Sequence, residues 1–87
     1  MQTFMVERYL PGMECVALRE AVRRAAAVAA AMTDEGVPVR YLGSTFVPDE
    51  EACFCRFEGR DAEAVREANE RAGLPFWRVV GAVFVEQ

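Results

Sequence analysis

The β-forming stretches of this chain are apolar at consecutive positions rather than alternate ones. Phe4, Met5 and Val6 run together, as do Cys53, Phe54 and Cys55, then Val79 and Val80, then Val83, Phe84 and Val85. Successive strand residues point to opposite faces, so a sheet with one wet face shows strict alternation. A sheet built from these strands must be covered twice. With 87 residues, one compact domain spanning 1–87 is expected, and a chain this short has little spare material for covering anything. An apolar fraction of 53% against 28% charged residues rules out intrinsic disorder.

The order of elements follows from changes in hydrophobic period. Residues 3–9 are rich in β-formers and stop at Pro11-Gly12, a strong breaker pair, so they are predicted as the first strand. From 14 to 33 the period becomes helical, with Leu18, Val22, Ala25, Ala29 and Met32 on one side and Arg19, Glu20, Arg23 and Arg24 on the other. Gly36 suits the helix C-terminus. Residues 39–47 and 52–58 read as two strands of a hairpin joined by Pro48-Asp49-Glu50-Glu51. Asp61 is placed to cap a helix running to Ala72, with Val65, Ala68 and Ala72 as its apolar stripe and Gly73-Leu74-Pro75 as its stop. Residues 76–86 are predicted as the last strand, with Gly81 marking a bulge or a close backbone approach.

The resulting β-α-β-β-α-β order is the ferredoxin-like α+β arrangement, a four-stranded antiparallel sheet with two helices on one face. The helices shield one face only. The open face would expose more apolar surface than a soluble monomer tolerates, so a homodimer packed sheet against sheet is expected, burying roughly 800 Å² per partner. The alternative is that the C-terminal strand or a loop folds over that face.

Charge narrows the partners. Ten arginines against 14 acidic residues, with no lysine or histidine, leave a net charge of −4. Nucleic acids and anionic membranes are bound chiefly through basic patches, so neither is expected as a partner. The strand 53–57 also lacks the basic-Gly-aromatic signature of RNA-recognition domains that share this fold. Residues 1–10 lack the apolar core of a signal peptide, and the longest apolar run, 25–32, falls short of the roughly 20 residues a membrane span needs. Three cysteines in this spacing form neither a disulfide framework nor a zinc site, and reduced thiols in a cytoplasmic protein are the expectation.

Candidate chemistry is sparse. Cys53 and Cys55 are a candidate soft-metal or redox pair, with Cys15 as a candidate third member; the plainer reading is apolar filling of the core, because no basic neighbour is expected on their face to lower their pKa. Glu7 shares a face with Met5 and is expected beside Arg40, Arg56 or Tyr9, either as a structural ion pair or as a base in a cavity between two sheets. Tyr9, Tyr41 and Trp77 are candidate pocket walls, with the core as the plainer placement. Asp49, Glu50 and Glu51 read as a solvated hairpin tip, since their spacing fits no calcium loop. No phosphate-cradling loop and no Ser-His-Asp set can be assembled.

Several stretches taken in order carry a family resemblance: Phe4-Met5-Val6-Glu7-Arg8 with Pro11-Gly12, then Val39-Arg40-Tyr41-Leu42-Gly43-Ser44, Phe54-Cys55-Arg56-Phe57-Glu58, Glu63-Ala64-Val65-Arg66-Glu67-Ala68, and Ala72-Gly73-Leu74-Pro75. Together they resemble a family of small bacterial ferredoxin-like proteins that includes an actinobacterial nickel-binding protein. The resemblance implies a homodimer and, in at least one branch, nickel as ligand at the dimer surface. Relatives often carry histidine where Gly43 and Ala68 stand here, so no metal ligand is carried over; nickel favours imidazole among protein nitrogen donors. Glu7, Ser44, Cys55 and Glu58 are the matched positions that the resemblance nominates for a ligand site. Tyr9 and Arg56 join them as polar neighbours of Glu7. A non-catalytic homodimer is the leading expectation. A small-molecule binder or cofactor-free enzyme, with Glu7 as base, is the alternative.

Overall fold

The structure is a computed structural model and describes residues 1–86. Its elements run β1 (Gln2–Tyr9), α1 (Cys15–Asp34), β2 (Val39–Val47), a 3-10 turn (Pro48–Glu50), β3 (Ala52–Gly59), α2 (Ala62–Ala72) and β4 (Arg78–Gly81). The four strands are antiparallel, in the order β2-β3-β1-β4. This is the ferredoxin-like topology expected from the sequence, with β1 and β3 central and β2 and β4 at the edges. No helix among the described residues is long and apolar enough to cross a membrane.

The helices pack on each other and on one sheet face. α1 turns Leu18, Ala21, Ala25, Ala29 and Met32 inward at intervals of three or four residues. Three of these five are alanines, which hold the helix backbone low over the sheet. Thr33 pins the start of the edge strand: its hydroxyl donates to the Val39 carbonyl (2.7 Å) and accepts from the Val39 N–H (3.0 Å). In α2, the Asp61 carboxylate accepts from the Ala64 N–H at 2.9 Å, and Gly73 closes the helix at a left-handed φ of +68°. Phe4, Val6, Val39, Cys53, Cys55, Phe57 and Val79 supply the sheet's share of the core.

Two expectations need correcting. The last strand stops at Gly81 instead of continuing to 86. Gly81 pairs with Phe4 and Ala82 N–H reaches the Thr3 carbonyl, so beyond that point the register leaves only Gln2 and Met1 opposite. Val83, Phe84 and Val85 are therefore exposed residues outside the sheet. The irregularity expected at Gly81 lies instead in β2, where the register shifts between Tyr41 and Gly43.

The Asp61 cap generates a direct test. Asp61→Ala removes the acceptor for the first turn of α2 and is expected to lower Tm by roughly 5 °C, with Asp61→Asn recovering most of the loss. Thermal unfolding followed by circular dichroism checks both.

Candidate functional site

Even-numbered positions of β1 face the helices. Phe4 and Val6 do so as apolar residues, and Arg8 follows them inward, only 2% exposed. Its Nη2 donates to Asn69 Oδ1 at 2.7 Å, and Nη1 lies 3.4 Å and 3.3 Å from the carbonyls of Leu74 and Pro75. Asn69 is oriented in turn by its own donation to the Val65 carbonyl (2.8 Å). All these partners are neutral. The buried Nε–H has no partner, and none of the ion pairs among the described residues includes Arg8.

Register places Arg8 directly across from Cys53, with Val6 across from Cys55. Both thiols are fully buried and free, their sulfurs 3.8 Å apart. Ser44 Oγ donates to Cys55 Sγ at 2.9 Å, and Tyr41 Oη lies 2.7 Å from Ser44 Oγ. Ser44 has a single hydroxyl proton, committed to the sulfur, so Tyr41 must donate to Ser44. A continuous chain of polar groups thus runs from the edge strand to the core: Tyr41, Ser44, Cys55 and Cys53, with Arg8 beside them.

The two thiols titrate as one pair. The Cys53 thiol hydrogen-bonded to Cys55 draws the Cys55 pKa down to about 6; burial opposes this, while the Arg8 charge and the Ser44 hydroxyl reinforce it. The same bond, together with burial, pushes Cys53 far up. Burial also raises the Tyr41 hydroxyl. The expectation that no basic residue shares the cysteines' face is overturned here. The signal was present in the sequence, because Arg8 has the same parity as Phe4 and Val6.

The other sheet face carries different chemistry. Glu7 Oε2 accepts from Arg78 Nε at 2.7 Å, so its partner is neither Arg40, Arg56 nor Tyr9 as expected. Glu58 pairs with Arg40 at 3.0 Å. Arg56 lies under the Phe84 ring, 4.4 Å from its centroid, and against Gly43. Tyr9 donates to Glu51 at 3.3 Å, and that carboxylate also accepts from Gly12 N–H at 2.7 Å, so the hairpin tip is more than a solvated turn. Tyr9 and Trp77, 62% and 73% exposed, are not core residues. With Glu7, Ala52 and Phe54 they line a depression of about 240 Å³. Tyr41 alone of the three aromatics meets the core, edge-on to Phe57 at 5.4 Å.

The sheet therefore divides the six sequence-nominated residues. Glu7, Tyr9, Arg56 and Glu58 lie on the outer side, Ser44 and Cys55 on the inner. Gly43 and Ala68 are likewise separated: Gly43 adjoins Arg56 on the outer side, whereas Ala68 is fully buried on the core-facing side of α2. A Cβ at Gly43 would stand 3.0 Å from Arg56 Nη2, on a backbone with φ +152°. Among the described residues no three His, Cys, Asp or Glu side chains come together as a metal site. The outer carboxylates are engaged by arginines, and the inner thiols sit beside a fixed cation, so this donor set does not fit a nickel ion.

The pH dependence follows from the thiol pair. Cys55 releases its proton more readily in the folded chain than in the unfolded one, so it contributes stability that grows as pH rises from about 6 toward 9.0 and is lost as pH falls through about 6. Above 9.0, the suppressed ionisation of Cys53 acts in the opposite direction. Urea unfolding is expected to show a stability gap between the native chain and Cys55→Ser that is wider at about pH 8 than at about pH 5. A gap that does not change with pH contradicts the shift.

Residues 4–81 match the family model described as "Nickel responsive protein SCO4226-like". Among solved structures the chain is similar to SCO4226 from Streptomyces coelicolor A3(2), with 24% identity, a TM-score of 0.82, and coverage of 97% of this chain and 99% of that one. That likeness shows a shared fold. No match was found among curated proteins.

Proposed function

The chain belongs to the SCO4226-like family of nickel responsive proteins, and we propose that it works as a non-catalytic, cytoplasmic homodimer joined sheet face to sheet face. The observation that carries this reading is the outer face itself. Met5, Val47, Phe54 and Val80 stand there half-buried, with both helices on the opposite side. Phe84 reaches this face through Arg56, but Val83 and Val85 beside it are 89% and 82% exposed, so the C-terminal stretch touches the face without sealing it. A second copy supplies the missing apolar cover in one step. Two ion pairs of that face, Glu7–Arg78 and Arg40–Glu58, offset four of its charges, and Arg56 stacks on Phe84.

Light scattering at micromolar concentration is expected to report twice the 9.7 kDa chain mass. A particle of single-chain mass overturns the dimer.

The nickel response in the family name has no imidazole to act through in this chain. Calorimetric titration with nickel is expected to give no defined binding in the micromolar range, and a saturable isotherm of fixed stoichiometry overturns that expectation. A second reading rests on the depression beside Glu7. In a sheet-to-sheet dimer, two such depressions become candidate walls of an enclosed small-molecule cavity, with Glu7 and Tyr9 as its polar groups. Protection of Trp77 fluorescence from acrylamide by a bound ligand, lost in Glu7→Gln, would support this use of the same interface.

A further inference from the structure

The inner face holds a charge that needs an answer. A guanidinium keeps its proton in any protein environment, and an unpaired cation withdrawn from water is costly. Arg8 is withdrawn, and its hydrogen-bond acceptors are one amide oxygen and two carbonyls. The titratable groups facing it are few. β3 presents Cys53 and Cys55, and β2 presents Tyr41 through Ser44. α2 presents the neutral Asn69, and α1 presents Leu18, Ala21, Ala25, Ala29 and Met32. Cys55 is also the group arranged as an acceptor: Ser44 donates to its sulfur, and the Cys53 thiol lies 3.8 Å away on its other side.

We propose that Cys55 is carried as a thiolate, the internal counter-ion of Arg8, and that the Cys53–Cys55 pair is an oxidation site for small hydroperoxides. The thiolate attacks one peroxide oxygen. An S–O bond forms, the O–O bond breaks, and hydroxide (or alkoxide) leaves and takes up a proton, so Cys55 becomes a sulfenic acid. The Cys53 sulfur then attacks the Cys55 sulfur. The S–S bond forms, the S–O bond breaks, and water leaves with the Cys53 proton. The peroxide gains the two electrons that the cysteine pair loses. In this step the unpartnered Nε–H of Arg8 serves as the donor to the oxygen that develops charge.

The surroundings set the size of the oxidant. Both sulfurs are fully buried, but Tyr41, at the outer end of the polar chain, also walls a cleft of about 370 Å³ between α1 and the edge strand β2. On this proposal a peroxide, little larger than water, enters from that cleft when the edge strand opens locally, whereas a bulkier alkylating reagent stays out. Cys15, exposed at the start of α1, meets both kinds of reagent and must be removed for the test. Strand residues two apart lie about 6.6 Å from Cα to Cα, near the upper end of disulfide spans. Their side-by-side Cβ atoms stand farther apart than the roughly 3.5–4.5 Å of a relaxed bridge, so closing it requires β3 to bend locally and the bridge is strained and readily reduced.

The test uses the full chain carrying Cys15→Ser. Native protein treated with iodoacetamide is expected to remain unmodified. Hydrogen peroxide under the same conditions should yield a product lighter by about 2 Da, the loss of two hydrogens, that resists alkylation after unfolding and is reversed by dithiothreitol. Adding Cys53→Ser should leave Cys55 as a sulfenic acid captured by dimedone. Adding Cys55→Ser instead should slow oxidation of the remaining thiol about ten-fold and abolish the ultraviolet thiolate absorbance of the folded protein near neutral pH. The absorbance is read first on the Cys15→Ser protein itself, so it does not depend on the other variants folding. Absence of that absorbance overturns the counter-ion assignment. Failure of peroxide to convert the pair while both thiols alkylate normally after unfolding overturns the oxidation site.

Discussion

A guanidinium sealed between sheet and helix governs the interior of this small protein. Arg8 anchors the end of β1 to the stretch that follows α2 through Asn69, Leu74 and Pro75. That stretch leads into β4, so the arginine helps position the edge strand that pairs with β1. The same charge, lacking any carboxylate, imposes a condition on its neighbours: something within the core must balance it. The thiol pair on the adjacent strand is where the chain has the means.

Each sheet face consequently has its own character. The inner face is a packed core interrupted by a single line of polar groups from Tyr41 to Arg8. The outer face mixes half-buried apolar side chains with two ion pairs and an arginine stacked on Phe84, and it leaves Tyr9 and Trp77 exposed around a depression. In the proposed reading, function on the outer face is a matter of association and shape, and on the inner face of proton and electron chemistry at sulfur. Among the described residues neither face gathers a donor set for nickel: Glu7 and Glu58 are held by arginines, and the sulfurs lie beside a cation.

Most of the fold was legible from residue order. Pro11-Gly12, Gly36, Asp61 and Gly73 mark the element ends by the backbone conformations they favour or the donors they satisfy, and the change of hydrophobic period separates helix from strand. The extent of β4 was not legible. Residues 76–86 look like strand throughout, yet a strand continues only while a partner lies opposite, and the register with β1 exhausts that partner near Ala82. The candidate site was legible in pieces. Glu7, Tyr9, Arg56 and Glu58 share one face and Ser44 and Cys55 the other; strand parity gives all of these but Ser44, whose side depends on the register shift in β2 after Tyr41.

The sequence alone determined the β-α-β-β-α-β order, the absence of imidazole chemistry and the excess of apolar positions over what two helices can shield. These are properties of local propensity and composition, written residue by residue. The tertiary structure alone decided that Arg8 lies across from Cys53, that Ser44 donates to Cys55, and that Arg78 rather than Arg40 or Arg56 takes Glu7. Such pairings join residues up to 71 positions apart, and they are set by strand register and helix docking, which no local pattern encodes.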